Sequence, residues 1–172
     1  MTLPNNLYYR PYTPNTKSLT VAKYIFDEVS KIEKDPSIRK INILAYIAHG
    51  YMYALYSKRM LDEEIIAWMV GPAIPSLFQT RDHPPPNLSE VSVDFSLLTE
   101  EEKIAIYLVT SKYSETPTAD LSNGARLPRT PWKISWEFNT NRKTTNTHIT
   151  IDEKLIKHFY QERGHTSTKL YF

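Results

Sequence analysis

Five histidines, His49, His83, His148, His158 and His165, are the first residues to test for acid–base or metal chemistry. No two of them stand at the helical HExxH spacing with a carboxylate, and there is no cysteine, so neither a zinc site nor a thiolate nucleophile is predicted. The serines fall in neither GxSxG nor SxxK settings, and no catalytic nucleophile is assigned. The four glycines, Gly50, Gly71, Gly124 and Gly164, lie too far apart to build a phosphate-cradling loop. No cofactor is expected. Asp62, Glu63 and Glu64 are consecutive and so fan out on a helix or alternate on a strand, which favours a solvated face over an acid–base pair. His49 is the exception worth chemistry. It lies in the most apolar part of the chain, with Tyr46 and Tyr53 within about one turn on either side. A general base acting with a carboxylate, as in a hydrolase, is one reading. A neutral imidazole hydrogen-bonded to a tyrosine or a carbonyl is the favoured one.

A second cluster could bind rather than react. Arg126, Arg129, Lys133, Arg142 and Lys143 surround Trp132 and Trp136, with Glu137 the one acid between 126 and 143. Basic groups among aromatics can grip single-stranded nucleic acid. The chain as a whole carries a net charge of only +2 and a pI of about 8.6, so nucleic acid is the weaker reading of this stretch. Tryptophan, tyrosine and arginine also dominate protein interfaces. Twelve tyrosines, six phenylalanines and three tryptophans leave aromatic surface to spare beyond a small core, which tilts the chain toward a binding protein.

The element that must position these residues is Ser37 to Tyr56, SIRKINILAYIAHGYMYALY. It is apolar nearly all round, which predicts a helix in the middle of a bundle. Its twenty residues span roughly 30 Å, a membrane thickness. Asn42, His49, the tyrosines and the close flanking bases Arg39, Lys40, Lys58 and Arg59 argue against a membrane span. Ser37 after Pro36 predicts the N-cap, and Lys58 and Arg59 are expected to complement the C-terminal dipole.

Around this hub the pattern predicts a mainly α, single compact domain with at most a small β element. Residues 1–17, with Pro4, Pro11, Pro14 and Tyr8, Tyr9 and Tyr12, form an extended N-terminal arm. Residues 18–163 form the domain and 164–172 a C-terminal tail. Leu19, Ala22, Ile25, Phe26, Val29 and Ile32 mark the apolar face of a helix over 18–34. Ile65 to Met69 is expected extended. Gly71-Pro72 then leads into a short helix over about 73–80. Residues 81–98, with Pro84, Pro85 and Pro86, are irregular. Thr99 with Glu102 is a capping box opening a helix to about Lys112. A shorter helix follows Thr116-Pro117 and ends with Gly124 in the left-handed cap. Pro131 opens a further helix or turn carrying Trp132. Residues 139–147 are loop and 147–151 a short strand. Thr150 with Glu153 is a second capping box for a last helix with Leu155, Ile156, Phe159 and Tyr160 on its apolar face. The absence of cysteine fits a reducing compartment. The N-terminus lacks a basic n-region followed by an apolar run, so a soluble, cytoplasmic protein is expected.

Two segments then resemble a known family. Lys40 to Tyr51, KINILAYIAHGY, is similar to the KLQKLLYFAHGW-type helix of the Panacea domain, the SocA-like antitoxin family that includes phage-associated GepA proteins. Ala67 to Leu77, AWMVGPAIPSL, is similar to that family's AWxxGPVxPxL signature. The Thr99 helix start and Pro131-Trp132 follow in the same order, so the resemblance runs from about Leu19 to Gln161. It implies a helical domain that neutralises a cognate protein toxin, encoded next door, by direct binding. One family member delivers its toxin to a protease, which adds a protease as a second implied partner. The implied contact residues are Tyr46, His49, Tyr53, Trp68, Arg126, Arg129 and Trp132, and the structural motif is Gly50, Gly71, Pro72, Pro75 and Pro131. This chain departs from the pattern at Ile43, where the family has a second lysine. It departs again at Tyr56 to Arg59, without the usual glycine and proline, and at Arg126 to Arg129, where the family often carries a histidine and an acid. Where such positions contact a toxin, these departures change its identity or abolish the activity. Both Trp68 and Trp132 are expected to be buried.

Overall fold

The computed structural model describes residues 14–78, 83–141 and 149–164. The expectations placed on residues 1–13, on Arg142, Lys143 and His148, and on the tail from His165 lie outside that set. Within it the chain forms six helices and one two-stranded sheet, so the mainly α architecture is as the sequence predicts. None of these helices is long and apolar enough to cross a membrane.

The hub is α2 (Ile38–Tyr56), buried continuously from Lys40 to Tyr53. Ser37 caps it, accepting from the Lys40 N–H at 3.2 Å. At its C-terminus the expectation for Lys58 and Arg59 fails. Ser57 takes a left-handed conformation (φ 53°), the Ser57 N–H bonds the Tyr53 carbonyl, and the Lys58 N–H bonds the Met52 carbonyl. The backbone thus satisfies the orphan carbonyls. Lys58 pairs instead with Glu101, and Arg59 donates to the Leu61 carbonyl.

Helices α1 (Thr16–Val29), α3 (Glu100–Tyr113), α4 (Thr118–Ala125) and α6 (Glu153–Gly164) all pack on α2; α5 (Pro131–Asn141) packs on α6 and on strand β1 (Ile66–Trp68). α1 begins earlier than predicted, so Thr16 and Lys17 belong to it rather than to an arm, and Asn15 is the N-cap. It also ends at Val29, which leaves Ile32 exposed rather than on the apolar face. Past Val29 the chain closes in turns, with the Ile32 and Glu33 N–H groups bonding the Val29 carbonyl and Asp35 left-handed (φ 55°), and Lys40, buried at the start of α2, holds both the Glu33 carboxylate and the Ser114 carbonyl. Its ammonium thereby serves the negative end of α3. The Thr99–Glu102 capping box forms as predicted, and Lys17 adds an ion pair to Glu102 at 2.7 Å.

The irregular middle of the chain is organised by the two polar residues of α2. Asn42 and His49 are seven apart and share one helix face. Asn42 donates Nδ2–H to the Pro72 carbonyl and accepts from the Ile74 N–H, both at 2.9 Å. Its amide thus pairs with the open edge of strand β2 (Gly71–Ala73) as a neighbouring strand would. This is why residues 71–73 are extended rather than the start of a helix over 73–80, of which only a 3-10 turn at Pro75–Leu77 remains among the described residues. β2 pairs antiparallel with β1, register Ile66 to Ala73; Met69 and Val70 make the turn and Gly71 follows it at φ 127°. On the other edge of β1, the Ala67 N–H bonds the Ile149 carbonyl and the Ile151 N–H bonds the Ile65 carbonyl, so residues 149–151 of the predicted strand run alongside. Replacing Asn42 with leucine keeps the volume and strands two buried backbone groups. It is expected to cost about 2–5 kcal/mol. Hydrogen exchange at the Ile74 amide checks the cause, since that N–H should lose its protection.

Two further expectations are corrected. Gly124 lies inside α4 and is buried; the left-handed residue of the α4–α5 turn is Arg129 (φ 68°). Asp152, not Thr150, caps α6, accepting from the Lys154 N–H at 2.9 Å. Glu153 does not close a capping box because it points into the domain.

Candidate interaction surface

Glu153 ends at His49. The imidazole is fully buried; its Nδ1 accepts from the Leu61 N–H at 3.0 Å, so the ring proton sits on Nε2, which donates to Glu153 Oε1 at 2.5 Å. The Tyr53 hydroxyl donates to the same oxygen at 2.6 Å, and Arg59 Nε stands 3.6 Å away. An acid does accompany His49, as a hydrolase requires. Yet its one lone pair is spent on backbone and the ring faces no solvent, so it cannot take a proton from a substrate. The cluster locks the loop after α2 and the start of α6 onto the hub. Among the described residues no group of His, Asp and Glu is placed to hold a metal ion.

Burial pushes the Glu153 carboxyl up, but the hydrogen bonds from His49 and Tyr53 and the nearby Arg59 guanidinium outweigh it and hold it below the ordinary 4.5. Glu63 is the opposite case. Of the three consecutive acids, Asp62 and Glu64 are exposed as predicted, while Glu63 is half-buried and accepts from the Ser76 hydroxyl at 3.0 Å. Burial raises its pKa, only partly opposed by the nearby Ser18 and Ser76 hydroxyls. The signs differ accordingly. The stability from Glu153 is complete above pH 4.5 and is lost as pH falls through its lowered folded value. The charged form of Glu63 is a burden above its raised folded value, and that burden lifts in acid. Glu153→Gln is expected to cost about 1–3 kcal/mol at neutral pH and progressively less below pH 4.5. Glu63→Gln is expected to stabilise at neutral pH and to make no difference in acid. Melting temperatures from pH 3 to 8 for the three proteins check both signs.

The residues that remain available to a partner gather at the tip of the β1–β2 hairpin. Trp68 is 41% exposed, Met69 72% and Val70 37%. Their backbone is nonetheless pinned. Trp132 donates Nε1–H to the Trp68 carbonyl at 2.6 Å, and Arg126 donates Nη1–H to the Met69 carbonyl at 3.3 Å. Trp132 is 5% exposed and stacks on Trp136 at 5.2 Å with an interplanar angle of 11°. The Trp68 ring meets Phe78 edge-on at 4.9 Å. A helix side chain thus fixes the strand while the strand's own apolar side chains face out. Leu127 in the α4–α5 turn, and Ile134 and Phe138 one turn apart on the outer side of α5, are exposed nearby in the same helices.

Set against the predicted contact residues, the structure divides them. Trp68 and Arg126 lie at the tip and Arg129 is exposed in the α4–α5 turn between the two residues that bond it, whereas Tyr46, His49, Tyr53 and Trp132 are buried within the domain. Trp68 is also the tryptophan whose predicted burial fails, because the tight turn at Gly71 brings its carbonyl, not its ring, to Trp132. Of the motif residues, Gly50 lies under the Tyr160 ring, Gly71, Pro72 and Pro75 shape the hairpin and the turn after it, and Pro131 opens α5. Met69 and Val70 were missed by sequence reasoning, although two apolar residues directly before a Gly-Pro turn are the signal of an apolar hairpin tip. No family model, curated protein or solved structure matches this chain.

Proposed function

We propose that this protein is an antitoxin-like interaction domain that neutralises a cognate protein toxin in the cytoplasm by binding it through the hairpin tip. The observation that carries the reading is a pre-paid geometry: Trp68, Met69 and Val70 are exposed while their backbone is held by Trp132, Arg126 and, through β2, Asn42. Rigid apolar anchors lose little entropy on binding, which is how a small patch gains affinity. The two segments that resemble the Panacea domain supply the support beneath it. The first is the hub helix, and the second is the hairpin itself with the 3-10 turn that follows.

Co-expression with the product of the neighbouring open reading frame tests this. That frame should arrest growth alone, and this chain should restore growth. A harmless neighbour, or an arrest this chain does not relieve, ends the antitoxin reading. Measuring the neighbour's half-life in the same cells separates neutralisation by occupancy from delivery to a protease, which shortens it.

A further inference from the structure

We infer that the partner's contact segment is acidic: a carboxylate-bearing loop or helix end of a protein, bordering an apolar recess that receives Trp68 and Met69. The inference rests on the hairpin tip being the interaction face, and adds the chemistry of what meets it. Arg126 bonds the tip directly, and Arg129 lies in the α4–α5 turn whose two ends, Arg126 and Trp132, bond the Met69 and Trp68 carbonyls; neither arginine has a carboxylate partner among the described residues. Arg126 spends its donors on the Met69 and Ser122 carbonyls and on the Asn123 side-chain oxygen. Arg129 is exposed, stands at a left-handed backbone position (φ 68°), and makes no hydrogen bond or ion pair to a described residue. The next charges along, Lys133 and Glu137, cancel each other at 3.1 Å. The chain's own run of acids, Asp62 to Glu64, precedes β1, at the end of the hairpin away from the tip. Among the described residues, therefore, no carboxylate pairs with the arginines of the α4–α5 turn beside this apolar tip. Planar guanidinium forks match carboxylates in two-point geometry, and a central indole with an arginine rim is the make-up of energetically dominant interface residues. Single-stranded nucleic acid fits less well, because Trp132 and Trp136 stack on each other and Met69 and Val70 have no flat face, which leaves Trp68 as a single stacking platform where successive bases need several.

A display library of random short peptides, selected on the full chain, tests this. Peptides that survive counter-selection on a Trp68→Ala/Arg129→Gly double variant should carry Asp or Glu beside an aromatic or aliphatic residue. A synthetic copy of the most enriched peptide should bind Trp68→Ala at least about tenfold more weakly. It should bind Arg129→Gly about fivefold more weakly, and parent binding should weaken as salt rises. Both substitutions replace exposed side chains, and glycine suits the left-handed position, so both variants should melt within a few degrees of the parent. Neutral or basic winners, equal binding to Arg129→Gly, no enrichment over the double variant, or displacement of the peptide by single-stranded DNA each overturn the inference. Self-association of the parent that Trp68→Ala abolishes would assign the tip to a second copy and overturn it too. Growth rescue that fails while the peptide result holds removes the antitoxin role and leaves the acidic partner standing; the converse removes only the acidic partner.

Discussion

Alanine at position 50 is expected to destabilise the domain by about 3 kcal/mol or more, although alanine is the better helix former. A Cβ there would lie 2.3 Å from Tyr160 Cε2 and 2.4 Å from its Cδ2 and Cζ, far inside van der Waals contact with the ring. Tyr160 cannot turn away. It is buried, with Tyr46 and Tyr51 edge-on at 6.2 and 6.4 Å and Phe159 at 5.1 Å. Relief therefore requires α6 to lift from α2, which also pulls Glu153 off His49. The double variant isolates the clash. Tyr160→Ala alone should cost about 3–5 kcal/mol, and in that background Gly50→Ala should cost less than about 1 kcal/mol. Urea unfolding of the four proteins reads the coupling, and a Gly50→Ala protein as stable as its parent would mean that α6 does not close on the hub at this point.

The second large effect separates two tryptophans that the sequence alone treats alike. Trp132→Ala removes a buried indole, its stack on Trp136 and the Nε1–H bond to the Trp68 carbonyl, for an expected cost of about 3–5 kcal/mol. Trp68→Ala removes a half-exposed ring with one edge contact to Phe78, and is expected to cost about 1 kcal/mol. Partner binding should rank differently. Trp68→Ala should lose affinity for a melting loss of only a few degrees, whereas Trp132→Ala should lose both affinity and much of its stability, since it frees the strand that presents the tip. Equal melting losses would mean that the two indoles share one core.

The sequence made the hub and the helical class legible, because an apolar run with a serine cap specifies its own burial. The Thr99–Glu102 box was legible for a similar reason: both partners of its reciprocal bond lie within one turn. What was not legible depends on contacts distant in the chain. Nothing near Pro72 says that Asn42, 30 residues away, will bond its carbonyl and hold the strand extended. Nothing near Thr150 says that Glu153 will be drawn to His49, 104 residues away, leaving Asp152 to cap α6. The candidate site suffered most. Aromatic and histidine residues in an apolar helix look equally fit for partner contact and for core, and the packing of α6 over Gly50 decided for core. The tip was named only through Trp68 and the arginines, since whether Met69 and Val70 face out depends on the turn at Gly71 and on Trp132.

The measurement that bears most directly on the account is calorimetric titration of the neighbouring frame's purified product into the parent and into Trp68→Ala/Met69→Ser. With melting temperatures matched to within a few degrees, the account predicts at least about a hundredfold loss of affinity in the variant. Undiminished binding by that variant would contradict it, and would place the partner on some other face of the domain.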